Sequence, residues 1–318
     1  MRAPMVSYRH LLRRYSVVLL LLGLCLIFAL IIPRFFQARN LLNIVLQSSI
    51  TAVAALGLTL PILAGGIDLS VGSMAALAGA VSAGLMTRSG WSATSAIAVA
   101  LLIGVVSGIL IAVLIAGGKL PPFVASLSML AVGRGLTLVY TEGRPISGLP
   151  ENYIVLGSGS IGPIPLPVLF LLGLTIVFHL LLSRTRFGHH IYAIGGNADT
   201  ARQAGISVNW VTISVYAISG LMAAFSGILL SARLWSAQPT AGVGLELEAI
   251  AAVVLGGTSL AGGYGGAWGS VVGALIMGVI GNGLNLLRIP SYIQQVIRGL
   301  ILIVAVMIDL RSRKINKP

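Results

Sequence analysis

Long uninterrupted apolar runs, parted by short clusters of Gly, Pro and charge, dominate the chain. The runs do not alternate with period two, as barrel strands do, so they read as helices. Ten segments emerge, at 15–32, 45–64, 69–87, 92–116, 122–140, 164–182, 210–230, 245–260, 267–286 and 291–308. A bilayer core takes roughly 20 helical residues, so most of these are long enough to cross it. The third, fifth and eighth are interrupted by Gly, Pro or charge. The pattern predicts an all-α polytopic integral membrane protein with about ten transmembrane helices, within one membrane domain over 1–318 whose spanning region is 15–308.

Composition changes this picture little. Hydrophobic residues make up 57% of the 318 and charged residues only 8%, far below the quarter that is typical of a soluble domain. No gap between apolar segments reaches the length of a folded domain; the longest are the loops around 142–162 and 183–209. The distribution of charge adds an orientation. With ten crossings, Arg2, Arg9, Arg13, Arg14, Lys119, Arg184, Arg186, Arg202, Arg311, Arg313, Lys314 and Lys317 fall on one side. Arg34, Arg39, Arg88, Arg144, Arg233 and Arg288 fall on the other. Basic residues concentrate in cytoplasmic loops, so both termini are expected in the cytoplasm. Arg134 and Arg298 lie inside apolar segments. The net charge of +13 reflects this topology and attraction to lipid headgroups. No basic stripe interleaved with aromatics suggests nucleic acid.

Catalytic signatures are missing. There is no H-E-x-x-H, C-x-x-C or G-x-S-x-G, and Gly117-Gly118-Lys119 continues into Leu120 rather than completing a P-loop. The chain is therefore expected to be no enzyme and to bind no cofactor or metal. His189 and His190 read as a solvated pair beside Arg186, and Cys25, the single cysteine, as a small buried apolar residue. Gly104/Gly108 and Gly269/Gly273 carry the small-xxx-small spacing that permits close helix contact or dimerisation.

Polar residues at the starts of apolar segments are the candidates for function. Asp68 stands in Ala64-Gly65-Gly66-Ile67-Asp68-Leu69-Ser70-Val71-Gly72-Ser73. Two glycines end one helix there, and Asp68 is placed to cap the next by accepting backbone N–H groups. Asp68, Ser70 and Ser73 also suit a polar station on a permeation path, since broken helices put polar groups where solutes pass. The two readings are compatible. Gln238, Thr240, Glu246 and Glu248 lie in or just beyond an irregular Pro/Gly stretch. They suit the entrance for a polyhydroxylated solute, and equally an ordinary solvated loop. Leu260-Ala261-Gly262-Gly263, followed by Gly269-Ser270, echoes Leu63-Ala64-Gly65-Gly66, followed by Gly72-Ser73.

The loop at 183–209 has a design of its own. Asn197 is a helix cap, Asp199 sits in the first turn, Ala198, Ala201 and Ala204 form one small face, and Gly205 stops the helix. So short a helix persists only when packed on something, either its own membrane domain or a partner's groove.

The sequence resembles the permease subunits of bacterial carbohydrate ABC importers, with ribose-transporting members nearest in pattern. The likeness is carried by Gly66 to Ser73, Arg134-Gly135 with Val139-Tyr140-Thr141, Gly195 to Ile206, Ser236 to Gly242, Ile250 to Gly263 and Asn282 to Leu287. It covers about Pro33 to Asp309 and departs from the ribose pattern at 157–167 and 264–268. The resemblance implies a multi-pass protein of the bacterial inner membrane that moves a monosaccharide, ribose or a related sugar. It implies a second permease copy, a sugar-binding protein outside and a separate cytoplasmic ATP-binding subunit, which holds the ATP and Mg. Asn197, Asp199, Ala201, Arg202, Ala204 and Gly205 match the place where such permeases meet the ATPase. An ion-coupled secondary transporter is the alternative, with Asp68 as its one intramembrane ionisable candidate.

Overall fold

The computed structural model describes residues 8–316, with side chains over 17–311. Arg2 and Lys317 lie outside the described residues, as do the side chains of Arg9, Arg13, Arg14, Arg313 and Lys314. The described residues are mostly helical. In order come α1 (Tyr8–Ile31), α2 (Ala38–Leu63), α3 (Val71–Thr87), α4 (Ala93–Ala116), α5 (Pro122–Thr141), β1 (Ile146–Ser147), α6 (Glu151–Ser158), β2 (Ser160–Ile161), β3 (Ile164–Pro165), α7 (Leu166–Arg184), α8 (Arg186–Gly196), α9 (Ala198–Gln203), α10 (Val208–Leu234), β4 (Ser236–Ala237), α11 (Leu245–Leu255), α12 (Ala267–Leu286) and α13 (Ser291–Asn316). β1 pairs antiparallel with β4, and β2 with β3.

All ten apolar segments are helices. Seven are long and apolar enough to cross a membrane: α2, α4, α5, α7, α10, α12 and the 291–311 part of α13. The apolar part of α1 (Val17–Ile31) and α3 are shorter. The eighth segment, expected over 245–260, is helical for only 11 residues, about half of what a crossing needs at 1.5 Å per residue. Its start follows Gly242 and Gly244 and its end precedes Gly257, all three at positive φ. Glycine there favours a turn over another helical residue.

α10 is the central helix. It packs on α4, α2 and α3 through glycines that let backbones touch. A Cβ on Gly104 would meet Gly220 O, one on Gly108 would meet Tyr216 O, and one on Gly227 would meet Ala75 O. Gly269 and Gly273 meet Gly256 and Ala252 of α11 in the same way. Both small-xxx-small pairs are thus spent on close packing within the chain. The contacts also give directions. Gly57 lies at Met222 and the Ser226 hydroxyl bonds Ile50 O, so α2 runs against α10. Gly79 lies at Gly227 and Ser231, so α3 runs with α10. α12 runs against both α2 and α11: Thr59 meets Ser270 and Ser48 meets Gly278, while Ala252 meets Gly273.

Two short helices have too few apolar anchors to show in the hydropathy pattern. α6 follows Pro150 and is pinned by the fully buried Tyr153, whose hydroxyl bonds Ser82 (2.8 Å) and Ser231 (2.7 Å). α8 starts at Thr185, whose hydroxyl accepts from Gly188 N at 3.1 Å, and it carries His189 and His190.

Candidate functional site

Two helix starts meet inside the bundle. α2 ends at Leu63, Gly65 turns the chain at φ +83°, and residues 66–70 run back without helical bonding until α3 starts at Val71. On the far side of the chain, α11 starts after Gly244 at φ +82°. The two starts touch. A Cβ on Gly72 would collide with Glu246 Oε2 and Gly242 O, and one on Gly242 would collide with Gly72 O. α3 runs with α10 and α11 against it, so the helices leave this junction in opposite directions. Their first turns bring unpaired amides and the positive ends of two helix dipoles to one place. The junction lies beside the middle of α10, away from both ends of the bundle.

Asp68 is fully buried here. Its Oδ1 accepts from Ser70 N (2.9 Å) and Ser70 Oγ (2.6 Å), and its Oδ2 accepts from Ser219 Oγ of α10 (2.7 Å). The expected cap takes a different form. The residue before α3 is Ser70, whose side chain makes no capping bond. Asp68 stands two residues earlier and braces the turn instead of the first helical amides. Ser73 Oγ donates to Ser70 O at 2.9 Å. Ile67 O accepts from Ser126 Oγ (3.1 Å) and Tyr216 OH (3.3 Å). Protein groups thereby pair Ile67 O, Ser70 N and Ser70 O of the irregular backbone, as a bilayer interior favours.

The α11 side differs. Glu246 Oε1 accepts from Gly244 N (3.2 Å), whereas its Oε2 is buried without a hydrogen-bond partner. Glu248 turns elsewhere: it pairs with Arg298 Nη1 of α13 at 2.9 Å and lies 3.5 Å from Thr51 Oγ1. The stretch 235–244 leads to the junction. Arg134 of α5 holds it, donating from Nη1 to Pro239 O (3.1 Å) and Ala241 O (2.9 Å). Gln238 on this stretch is half-buried and bonds Ser236 Oγ at 2.8 Å; Thr240 is exposed. The structure therefore gathers Asp68, Ser70, Ser73 and Glu246, leaves Gln238 and Thr240 on the irregular stretch before α11, and turns Glu248 away. Sequence reasoning missed Ser219, Arg134 and Arg298 as members of these networks. The two arginines were visible as charges inside apolar segments, but an unremarkable serine among many carries no signal.

The loop at 183–209 packs against the turns of the α2–α3 and α11–α12 hairpins. α9 is capped as expected, with Asn197 Oδ1 accepting from Thr200 N at 2.9 Å and Gly205 at φ +84°. Asp199 and Arg202 pair at 3.0 Å on the exposed side. The alanine face is divided. Ala201 is buried in the chain's own core with Ala198 packed beside it, and only Ala204 is exposed. The side open to a partner is Asp199, Arg202, Ala204 and Gly205. The preceding α8 ends in Gly195-Gly196, wedged against both broken hairpins. A Cβ on Gly195 would collide with Leu63 O and Gly263 N, while Gly263 N itself donates to Leu63 O at 2.9 Å. Tyr192 OH of α8 donates to Gly265 O at 2.8 Å. Burial pushes the Tyr192 hydroxyl above its ordinary pKa, which keeps it a donor.

Long apolar helices, two of them broken where polar side chains collect, define a multi-pass membrane protein of the permease type. The chain belongs to the family described as the branched-chain amino acid transport system / permease component, whose pattern it matches over residues 40–306. It is similar to the ribose import permease protein RbsC of Escherichia coli (strain K12), at 46% identity over 91% of each chain. It is 37% identical to the D-allose transport system permease protein AlsC of the same strain, over 93% of this chain and 91% of the relative. The xylose transport system permease protein XylH of Haemophilus influenzae is 32% identical, over 88% of this chain and 91% of the relative. No solved structure matches the chain.

Proposed function

We propose that this protein is the membrane-spanning subunit of an ATP-driven importer that carries a monosaccharide, ribose or a close relative, across the bacterial inner membrane. The observation that carries the reading is the identity to ribose, allose and xylose permeases along nearly the whole chain. The chain crosses ten times with both termini in the cytoplasm, α1, α3 and α11 joining the seven longer helices. The twelve-to-six bias of basic residues supports this orientation. The α3/α11 junction is a polar station on the path. Two helix N-termini, serine hydroxyls and carboxylates there offer donors and acceptors to a sugar's hydroxyl groups. The stretch holding Gln238 and Thr240 is the outer approach and faces the sugar-binding protein.

Energy comes from a separate ATP-binding subunit that engages the exposed side of α9, and a second permease copy completes the path. The glycine wedge gives the drive a route. A shift of α8 and α9 presses on Leu63 and Gly263 together, so both hairpins respond to one movement. The second reading is an ion-coupled carrier, which the buried carboxylate of Asp68 favours.

Uptake of labelled ribose by proteoliposomes separates the two. With the ATP-binding subunit and the binding protein present, uptake requires enclosed ATP and survives an uncoupler. Uptake that continues without ATP and collapses with the uncoupler contradicts the proposal.

A further inference from the structure

A separate cleft opens at the end of the bundle opposite α8 and α9. There the α1–α2 and α12–α13 connections form a cleft of about 510 Å³, lined by Ile32, Pro33, Arg34, Asn285, Leu286 and Arg288. Phe28 of α1 packs on Gly283 of α12 directly beneath it. Its charged lining is wholly cationic. None of the seven Asp and Glu residues of the chain lines the cleft. Neither guanidinium has a hydrogen bond or ion pair among the described residues, as is also true of Arg39, Arg144, Arg184, Arg186 and Arg233; what sets these two apart is that they share one cleft. Asn285 is tied down from the other side, its Oδ1 accepting from Gln294 Nε2 at 2.8 Å. Arg288 sits at φ +58°, an uncommon conformation for a side chain of its size. The surface around the cleft is apolar and exposed at Leu30, Phe36, Leu287 and Tyr292.

Two unpaired arginines at a helix-end level, set in a cleft that opens among exposed apolar side chains, match a phosphate attached to hydrocarbon. Guanidinium binds phosphate oxygens bidentately.

We propose that this cleft binds the phosphodiester headgroup of an anionic phospholipid, its acyl chains lying along α1 and α13. The site requires only that the chain spans a bilayer, and it stands apart from the α3/α11 junction. A bound lipid bridges the first and last hairpins and braces the pair α1 and α12 from outside.

The test uses the full-length permease in detergent, with lipid retention read by native mass spectrometry. Phosphatidylglycerol is titrated against phosphatidylcholine, and inorganic phosphate is added in a separate arm. The wild type retains phosphatidylglycerol preferentially. R34Q/R288Q weakens retention roughly 10- to 30-fold, from about 1 kcal/mol per surface cation. Because both arginines are exposed, the double variant folds, as gel filtration and an unchanged circular dichroism spectrum verify. R144Q, another exposed arginine, leaves retention unchanged. Equal retention by wild type and R34Q/R288Q overturns the proposal. Displacement of the lipid by millimolar inorganic phosphate assigns the arginines to a soluble anion and overturns it as well.

Discussion

The α2–α3 and α11–α12 hairpins share a short sequence and fold it to different ends. Leu63-Ala64-Gly65-Gly66, followed by Gly72-Ser73, becomes in the second hairpin Leu260-Ala261-Gly262-Gly263, followed by Gly269-Ser270. In both, the glycines let the chain turn at positive φ, and the two turns are joined directly by Gly263 N donating to Leu63 O. Beyond the turn the two hairpins part. The first has Asp68, locked by Ser70 and Ser219. The matching position of the second, equally far along, is Gly265 at φ +137°, its carbonyl held by Tyr192 OH. The helix entering the first hairpin has 26 residues and the one entering the second has 11. A long apolar helix and a side-chain lock make the first hairpin the fixed wall. The second is held through its backbone, by Gly263 N on Leu63 O, Gly266 N on Thr258 Oγ1 and Tyr192 OH on Gly265 O, with no buried carboxylate at its turn.

The comparison breaks most severely at Asp68. Asp68→Leu orphans the buried hydroxyls of Ser70 and Ser219, at about 1–3 kcal/mol for each unsatisfied group. Transport falls to background while the protein still inserts, as membrane fractionation verifies. Asp68→Asn keeps an acceptor for Ser70 and keeps a hydrogen bond to Ser219 by reversing its direction, so part of the uptake survives. Normal uptake by Asp68→Leu removes both the lock and the path reading.

Making the second hairpin resemble the first is the next largest change. Gly265→Asp places a side chain at a φ that only glycine adopts easily and drives its Cβ into Thr258. Strain of this kind costs about 1–3 kcal/mol, so the melting temperature drops and uptake slows several-fold. Gly265→Ala shows most of the same loss, because the cause is backbone. An unchanged melting temperature in both variants means that the turn is not set by glycine.

The smallest effect belongs to Tyr192→Phe. It removes one hydrogen bond to Gly265 O, worth about 1 kcal/mol, and leaves the ring in place. Melting moves little, yet the ATP consumed per sugar rises, since α8 keeps only its glycine contact with the second hairpin. A cost per sugar equal to that of the wild type removes Tyr192 from the linkage.

Much of this architecture was legible in the sequence. Ten apolar runs became ten helices with most boundaries within a few residues, because hydrophobic length is a direct physical demand of the bilayer. The short helix after Asn197 was visible from its cap and its glycine stop. The eighth segment was legible as interrupted, but not that its helix ends at Leu255, because Gly256-Gly257-Thr258-Ser259 permits either a kink or a stop. The partition of the site was also hidden. Glu246 and Glu248 are two residues apart in one helix, so they face different neighbours, and only the fold shows that Arg298 claims the second. The bond from Gly263 to Leu63 joins positions two hundred residues apart, beyond any local pattern.

At the centre of the proposed mechanism, α8 drives both hairpins together through Gly195. Gly195→Ala adds a Cβ that meets Leu63 O and Gly263 N at once, forcing the two turns away from α8. The decisive measurement is the ratio of ATP hydrolysed to sugar imported, in proteoliposomes holding the full transporter and its loaded binding protein. Gly195→Ala is expected to retain the ATP-binding subunit and its hydrolysis while sugar import falls about tenfold or more. Hydrolysis and import that stay in the wild-type ratio in this variant would refute the linkage.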